Sequence, residues 1–467
     1  MFHRFLNSQT KTVTGAAGIL AISALISRFL GLIRDRLLAG KFGAGPELDI
    51  YFAAFRIPDF VYMVLIAGGV VVAFLPLFSE CFSRNEKDSW QFTNNLLNIF
   101  LFFLILISLL LFIFAPSLVK LVAPGFNPQQ MSLTVLLTRL MFISPIFFGL
   151  SSIFSGILQY FNRFLIYSLS PILYNLGIIG GIIFLVPYFG VLGVALGVIL
   201  GAFFHLAIQI PSAINCGFKY QPIFNFRDPG IKRVFKLMIP RTFGVAAFQI
   251  NLIVITAIAS TLTAGSIAIF NFANNLQHFP IGIIGVSFAV AVFPALSRAW
   301  AEGKREEFIE RFSSVFRQIL YLTIPISALL FIFRDLIVKI ILETGQFGVF
   351  DTKLTATCLG LFAFSIFAQS LIPLFVRAFF SWQDTKTPTL ITILAVALNI
   401  ILAFSLTWLL TFPNLFTDFI KNYFNLTGID NISVIGLPLA FSISAIFQFA
   451  LLSILFYRKI NLFKVEP

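Results

Sequence analysis

The stretch FIFAPSLVKLV at residues 112–122 returns as FIFRDLIVKII at residues 331–341, which is 219 positions further along the chain. A second pair, VAFLPLFSE at 72–80 and AVFPALSRA at 291–299, has nearly the same offset. The matched positions include lysine and proline as well as apolar residues, so chance similarity between apolar segments is a weak explanation. An internal repeat of this length predicts two halves of similar structure.

The repeat extends into the polar connections of the chain. The segments LQYFNRF at 158–164 and FSWQDTKTP at 380–388 stand at corresponding places in the two halves. Asn175 and Asn399 follow them, 224 positions apart. Since each half then contains the same number of apolar runs, the two halves are predicted to have the same topology.

Apolar runs of membrane-spanning length recur along the whole chain. Its mean hydropathy is +0.97 and 59% of its residues are hydrophobic, which indicates a polytopic helical membrane protein. We expect an all-α protein whose two six-helix lobes, residues 1–218 and 219–467, are parallel repeats around a central cavity. The twelve expected spans are 13–33, 49–79, 92–114, 132–160, 165–186, 190–214, 234–262, 266–297, 312–333, 354–380, 388–411 and 432–457.

Two features predict the shape and packing of individual spans. The second and eighth spans are too long for straight helices, and both contain prolines, Pro58 with Pro76 and Pro280 with Pro294. We therefore expect kinked or broken helices there. In the sixth span, glycines at 193, 197 and 201 form a small-xxx-small series that predicts close packing of two helices.

The positive charges are distributed unequally between the two sets of loops. Of the 32 Lys and Arg residues, 20 lie at the termini and in the loops on the same side, and seven lie in the opposite loops. This asymmetry predicts that both termini are cytoplasmic. The net charge of +13 therefore reflects membrane topology, and nucleic acid is not an expected partner.

Cysteine and histidine offer no recognisable site. The three cysteines and three histidines are scattered without paired spacing, so we expect neither a disulfide framework nor a metal site. The first apolar run contains Arg28 and lacks a small-residue cleavage motif, so it is interpreted as a retained helix. A membrane-embedded transferase or phosphatase would need a catalytic constellation, and the sequence shows none.

Charged side chains within the spans are the strongest functional signal, because such residues usually face a bundle interior or an aqueous cavity. Basic residues outnumber acidic ones among them, and arginine suits phosphate through its planar donor fork. A cavity of this kind favours an anionic substrate and argues against a multidrug exporter for cations. The candidates are Arg28, Arg34, Asp35, Asp49, Arg56 and Arg139 in the first half, and Arg241 and His278 in the second.

Structural alternatives stand beside several of these candidates. Arg34, near a helix end, could extend to lipid headgroups, and Arg56 could form a local pair with Asp59 at a helix break. Arg139 could take part in a structural ion pair, and His278 could be a packing residue. The sequence leaves these alternatives open.

Several motifs resemble those of the MurJ (MviN) family of lipid II flippases, and they occur in the family's order over nearly the whole chain. The family belongs to the MOP exporter superfamily, which has two six-helix lobes around a central cavity. The motifs are SRFLGLIRD at 27–35, FGAG at 42–45, AFRIPDF at 54–60, AFLPLFSE at 73–80, APGF at 123–126, NRF at 162–164, FPIGIIGVSFAVAVFPALS at 279–297 and QDTKTP at 383–388.

The resemblance implies a substrate and roles for individual residues. The substrate would be an undecaprenyl-pyrophosphate-linked peptidoglycan precursor, moved from the cytoplasmic to the outer leaflet of a bacterial inner membrane. Arg28, Arg34 and Asp49 fall on family positions needed for function, and Asp35 would orient Arg34. Asp384 falls near a place where some members bind sodium.

The means of coupling stays open at this point. Sodium, protons or the membrane potential could restore the inward-open state, and His278, Asp49 or Asp384 could be the coupling group. No other cofactor is expected. The partners expected are the lipid bilayer and the lipid-linked glycopeptide, with cell-wall synthesis proteins also open.

The chain also departs from the family pattern. Family members commonly have a glutamate where Ala67 stands, and an arginine and an acidic residue where Asn275 and His278 stand. They also commonly have fourteen spans. These departures leave two alternatives open: a flippase for another lipid-linked oligosaccharide, and a non-transporting paralogue or scaffold in cell-wall assembly.

Overall fold

The computed structural model describes residues 13–426 and 428–465, with the side chains of a few residues inside these ranges left undescribed. Nearly all of the described chain is helical, which confirms the predicted fold class. The helices of the first half are α1 Val13–Phe42, α2 Pro46–Val61, α3 Val71–Arg84, α4 Glu86–Val122, α5 Pro128–Met141, α6 Ile143–Tyr160, α7 Phe164–Gly180, α8 Val186–Phe189, α9 Val191–Ala207 and α10 Gln209–Asn215.

The second half repeats this pattern of long apolar helices and short connections. Its helices are α11 Pro229–Ser260, α12 Ser266–Pro280, α13 Ser287–Ala301, α14 Arg305–Ile332, α15 Arg334–Leu342, α16 Val349–Ala363, α17 Ile366–Ser381, α18 Lys386–Leu409, α19 Leu415–Tyr423 and α20 Gly436–Val465. A 3₁₀ turn at Ser433–Ile435 precedes α20.

Nine segments of the described residues are long and apolar enough to cross a membrane, and the bent pair α16–α17 makes a tenth. The two remaining predicted spans, 13–33 and 234–262, lie on α1 and α11. Every predicted span therefore has a helix, while the count of twelve crossings stays a prediction.

In each of the two longest predicted spans, the first proline is followed by a stretch of π-helix. Tyr62–Val70 comes after Pro58, and Ile281–Val286 comes directly after Pro280. Proline removes one N–H and clashes with the preceding turn, which favours a wider helical turn nearby. The predicted irregularity is thus present in both halves at repeat-related places.

By contact density the chain divides into two units. The first comprises the described part of Met1–Leu38 with Pro46–Ile253, and the second comprises Ala39–Gly45 with Val254–Pro467. The predicted lobe boundary at residues 218/219 stays a prediction. In the first unit an aromatic cluster around Trp90 and Phe161 fills the core, and in the second unit Phe308 and Trp382 take part in a similar cluster.

The turns beside these aromatic clusters also correspond. Asn162 and Gln383 both have a left-handed backbone, with φ of 57° and 59°. Left-handed residues other than glycine are uncommon, so their occurrence at equivalent places in the two units supports the repeat. Each turn leads into a membrane-spanning helix, α7 in one unit and α18 in the other.

Glycines bring α7 and α9 into backbone contact, as the small-xxx-small series predicts. A Cβ added at Gly177 would lie 2.3 Å from the Cα of Gly201. A Cβ at Gly201 would lie 2.4 Å from the carbonyl oxygen of Tyr174. The absence of side chains at these positions therefore sets the position of the part of α7 that carries Tyr174 and Asn175.

Candidate functional site

Arg34 lies on α1 with a neighbouring carboxylate and an amide from α7 as partners. Its Nε and Nη2 donate hydrogen bonds to Asp35 Oδ1 at 3.0 and 2.8 Å, and its Nη1 donates to Asn175 Oδ1 at 3.4 Å. The Asp35 side chain is 5% exposed, whereas that of Arg34 is 23% exposed. Each nitrogen of the guanidinium therefore has a protein partner, while part of the side chain stays accessible.

Asn175 joins Arg34 to the backbone of both helices. Its Nδ2 donates to the carbonyl oxygen of Ser27 at 3.2 Å, to Ser27 Oγ at 3.1 Å and to the carbonyl oxygen of Pro171 at 3.2 Å. One turn earlier on α1, Ser23 Oγ donates to Ser168 Oγ at 3.0 Å. A polar seam between α1 and α7 thus ends at Arg34.

Two tyrosines, one buried and one half-buried, lie near the Arg34 guanidinium. Tyr51 of α2 and Tyr174 of α7 both lie within its electrostatic range. Tyr174 also lies within range of Asp59, whose own charged neighbour is Arg56. The site therefore continues from the Arg34–Asp35 pair along α2 to a second arginine–aspartate pair.

The Arg56–Asp59 pair contacts a further helix of the same unit. The side chain of Gln249, on α11, hydrogen-bonds to the Asp59 carboxylate. Gln249 is buried, with 5% of its surface exposed, and Arg56 is half-buried. The structure thus gathers guanidinium, carboxylate, phenol and amide groups from α1, α2, α7 and α11 within the first unit.

Arg28 and Asp49 occupy different places relative to this cluster. Arg28 is half-buried on α1, and its Cα lies about 9 Å from that of Arg34 along the helix axis. Asp49 is buried in the first turn of α2, where a negative charge interacts favourably with the helix dipole. The half-buried position of Arg28 is compatible with headgroup binding.

Arg139 lies apart from the residues just described. Its Nε donates to the carbonyl oxygen of Phe112 at 3.2 Å, and its guanidinium lies 4.9 Å from the centroid of the Phe112 ring. Residue 116 is a proline, so it has no N–H to give to the carbonyl four residues earlier in α4. These contacts give Arg139 a structural role at α4, and its part in substrate binding stays a prediction. The side chain of Arg241 lies outside the described residues.

The described interior of the second unit contains a chain of hydrogen-bonded neutral amides. Gln369 Nε2 donates to Gln277 Oε1 at 2.9 Å and to Ser365 Oγ at 2.8 Å, and Gln277 Nε2 donates to Asn274 Oδ1 at 3.0 Å. His278 stands half-buried next to this chain on α12. The charged candidates therefore concentrate in the first unit.

Asp384 lies in the connection between α17 and α18, where Lys459 and Thr387 contact both of its oxygens. Lys459 Nζ and Thr387 Oγ1 donate to Oδ2 at 2.8 Å each, and the Thr387 backbone N–H donates to Oδ1 at 3.0 Å. Burial opposes ionisation, but these hydrogen bonds hold the pKa of Asp384 below its usual value. Within the described part of the chain, no three His, Cys, Asp or Glu side chains form a cluster that could hold a metal ion.

Several partners in the site are neutral residues that the sequence did not single out as site residues. Tyr51, Tyr174 and Gln249 give no signal in a search for intramembrane charges, because tyrosine and glutamine are ordinary in helices. Asn175 had one signal, its place in the repeat opposite Asn399. Counting polar residues on each helix face would have identified Asn175. Its pairing with Arg34 could not be predicted in this way, because it depends on how α7 packs on α1.

Known proteins resemble this chain over most of its length. The family described as lipid II flippase MurJ matches residues 38–466. A probable lipid II flippase MurJ from Buchnera aphidicola of the pea aphid is 31% identical over 444 residues, covering 94% of this chain and 83% of that protein. A lipid II flippase MurJ from Burkholderia cenocepacia is 28% identical over 378 residues, covering 79% and 73%.

Solved structures give the same picture for the fold. One described as lipid II flippase MurJ in an inward closed conformation has a TM-score of 0.77 and 27% identity, covering 94% of this chain and 87% of that chain. An inward-facing multidrug resistance MATE transporter of the MOP superfamily has a TM-score of 0.75 at 14% identity, covering 97% and 100%. The second likeness concerns the fold alone.

Proposed function

Because this chain belongs to the MurJ family of lipid II flippases, we propose that it moves lipid II from the inner to the outer leaflet of the bacterial cytoplasmic membrane. It is a multi-pass membrane protein and a transporter rather than an enzyme. The chain covers 83% of the length of its Buchnera aphidicola relative and 87% of the solved MurJ chain. We place both termini in the cytoplasm on the strength of the loop charges.

Arg34 carries the proposal at the level of the site. Its guanidinium donates to one oxygen of Asp35 and to Asn175, and 23% of its side chain remains exposed. Guanidinium groups bind phosphate oxygens through paired N–H donors, and such hydrogen bonds are about twice as strong as neutral ones. Arg34 would therefore bind the pyrophosphate, and Asp35 would hold the guanidinium in the required orientation.

Arg28 and the Arg56–Asp59 pair would extend the binding surface for the headgroup. Arg28 adds a second guanidinium along α1, while Arg56 adds a third beside Asp59, and Asp59 also lies within electrostatic range of Tyr62. Neutral donors such as tyrosine hydroxyls suit the sugar part of a glycopeptide. Asp49, at the start of α2, would stabilise the helix that carries Arg56.

Transport would follow from alternating access between an inward-open and an outward-open state. The headgroup loads from the cytoplasmic side, the lobes rock, and the headgroup leaves outward while the lipid tail stays in the bilayer. A cation or the membrane potential would restore the first state, since each charge moved is worth about 2.3 kcal/mol per 100 mV. His278, Asp49 and Asp384 stay the coupling candidates, and Asp384 is paired with Lys459 in this structure.

Complementation tests the proposed function. A bacterium depleted of its own lipid II flippase would receive wild type, Arg28→Ala, Arg34→Ala or the control Arg36→Ala, with membrane levels compared by immunoblot. We expect rescue by wild type and by Arg36→Ala, whose exposed residue lies on the same helix. Failure of a well-expressed wild type would favour another lipid-linked oligosaccharide. Equal rescue by all four would contradict the arginine site.

A further inference from the structure

The short helix α19, in the connection between α18 and α20, carries three exposed apolar side chains on one face. Leu415 is 90% exposed, Phe419 is 62% exposed and Tyr423 is 55% exposed. At about 100° per residue, these three positions spread over about 80° of the helix circumference. The rings of Phe419 and Tyr423 stack with their centroids 5.9 Å apart.

The opposite face of α19 packs on the protein. Thr417 and Ile420 are buried, and the ring of Phe424, directly after the helix, lies 5.1 Å from the Arg334 guanidinium. The Phe424 ring also contacts that of Phe331 at 6.5 Å. The helix therefore has a fixed rotation, and its exposed apolar face cannot turn inward without losing these contacts.

A third sector of the helix is polar. Asp418, Lys421 and Asn422 lie between the apolar face and the face that packs on the protein. Lys421 Nζ donates to the carbonyl oxygen of Asp430 at 3.2 Å, and the Asn414 side chain caps the first turn through the Thr417 N–H at 2.9 Å. One helix thus presents separate sectors to protein, to water and to an apolar phase.

The exposed apolar face continues the surface of a membrane-spanning helix. Along α18 the side chains of Leu394, Ile401, Phe404 and Trp408 are 55–67% exposed. Trp408 contacts Phe412 with ring centroids 5.4 Å apart, and Phe412 leads on to Leu415. Tryptophan at the end of a span is typical of the membrane–water boundary, where an amphipathic helix lies in the plane of the interface.

We propose that α19 is a membrane-interface helix whose Leu415, Phe419 and Tyr423 side chains insert among the lipids at the end of α18. By the loop charges this is the outer interface. The polar sector then faces water, and the helix fixes the depth of α18 in the bilayer. This inference does not depend on which lipid-linked glycan the protein moves.

Site-specific quenching tests the proposal on the full-length protein in nanodiscs. After replacement of Cys81, Cys216 and Cys358 by serine or alanine, single cysteines at 415, 419 or 423 would carry an environment-sensitive fluorophore. Matched controls would carry it at Asp418 or Asn422, which lie on the polar sector of the same helix. Quenching is then measured with brominated phospholipids and, separately, with aqueous iodide.

We expect brominated lipids to quench the fluorophore at 415, 419 and 423. The iodide quenching constants at these positions should be at least about threefold lower than those at 418 and 422. Equal iodide access at all five sites without lipid quenching would overturn the proposal in favour of a water-exposed helix. Protection of 415, 419 and 423 from both quenchers would also overturn it, in favour of a protein occupant. Each labelled variant must elute as a single species, and the exposure of these side chains in the fold makes that outcome expected.

Discussion

Asn175 links the Arg34 guanidinium to α7. Its amide accepts from the guanidinium and donates to Ser27 and Pro171, so it joins α1 to α7 at the candidate site. Intramembrane charge and spacing in the sequence predict Arg28 and Arg34 as candidates, because a charged side chain within a membrane span is costly and usually functional. The partner could not be predicted in the same way, because it depends on how closely α7 approaches α1.

Asp384 and Lys459 form an ion pair whose contribution to stability should depend on pH. The pKa of Asp384 is lowered in the folded protein, so the stabilisation is complete above the unfolded value near 4 and is lost as pH falls through the folded pKa. We expect Asp384→Asn to lower the midpoint of thermal unfolding in detergent at pH 7 and pH 5. The difference between the midpoints of wild type and variant should become smaller at lower pH.

Lys459→Met is the matched variant for this pair. It keeps an apolar stem over the Phe379 and Trp382 rings, which lie 5.7 and 5.1 Å from Lys459 Nζ. We expect the double variant Asp384→Asn/Lys459→Met to lose less free energy of unfolding than the sum of the losses in the two single variants. The coupling energy between the two residues should be about 1 kcal/mol. A difference between wild type and Asp384→Asn that stays constant down to pH 3 would contradict the assignment.

At the scale of helices, prolines and their freed carbonyl groups decide which side chains α5 presents. Pro58 leaves the carbonyl of Ala54 without its helical donor, and Thr138 Oγ1 donates to that oxygen at 3.3 Å. The next residue, Arg139, donates to the carbonyl that Pro116 leaves free. The prolines are plain in the sequence, but their partners follow from the packing of α5 on α2 and α4.

Arg139→Ala should therefore destabilise the protein, because it leaves the Phe112 carbonyl without a donor in an apolar surrounding. We expect a loss of about 1–3 kcal/mol. In a Pro116→Ala background residue 116 regains its N–H, so the same Arg139→Ala change should cost less. The measurement is thermal unfolding of all four proteins in detergent. Equal losses in both backgrounds would contradict this role of Arg139.

The close approach of α7 and α9 predicts opposite effects on stability for alanine substitutions at two glycines of α7. A Cβ at Gly177 meets the backbone of Gly201 at 2.3 Å, whereas a Cβ at Gly180 has nothing within 4 Å. Gly177→Ala should destabilise the protein by about 1–3 kcal/mol through overpacking. Gly180→Ala should stabilise it by up to about 1 kcal/mol through helix propensity.

The measurement for this pair is again thermal unfolding, combined with transport. Gly177→Ala should also reduce transport, because α7 carries Tyr174 and Asn175 to the Arg34 site. Gly180→Ala should leave transport unchanged. If both substitutions shift the unfolding midpoint in the same direction, α7 and α9 are not in backbone contact at Gly177.

At the scale of the whole molecule, the repeat accounts for much of what the sequence could predict. Matched motifs 219 residues apart predict two similar halves, and the π-helical stretches and left-handed turns at Asn162 and Gln383 agree with that. The repeat does not extend to the chemistry. The first unit gathers arginine–aspartate pairs, while the second lines its interior with Gln277, Gln369 and Ser365.

This difference between the units has a physical reason that sequence similarity does not reveal. Apolar positions of a repeat conserve helix packing through size and hydrophobicity alone, so they are visible as matched motifs. A polar site depends on a few side chains whose partners come from other helices. The site residues of the first unit lie far apart in sequence, as Arg34, Asn175, Asp59 and Gln249 show. They come close only through the packing of their helices.

The central claim is that Arg34 binds the pyrophosphate during transport, and transport by the purified protein tests it most directly. Wild type, Arg34→Ala and the control Arg36→Ala would be reconstituted at equal density into vesicles containing fluorescent lipid II, and movement between leaflets would be followed by chemical quenching. We predict that Arg34→Ala slows lipid II movement by at least about tenfold while Arg36→Ala matches wild type. Equal rates for Arg34→Ala and wild type would contradict the claim.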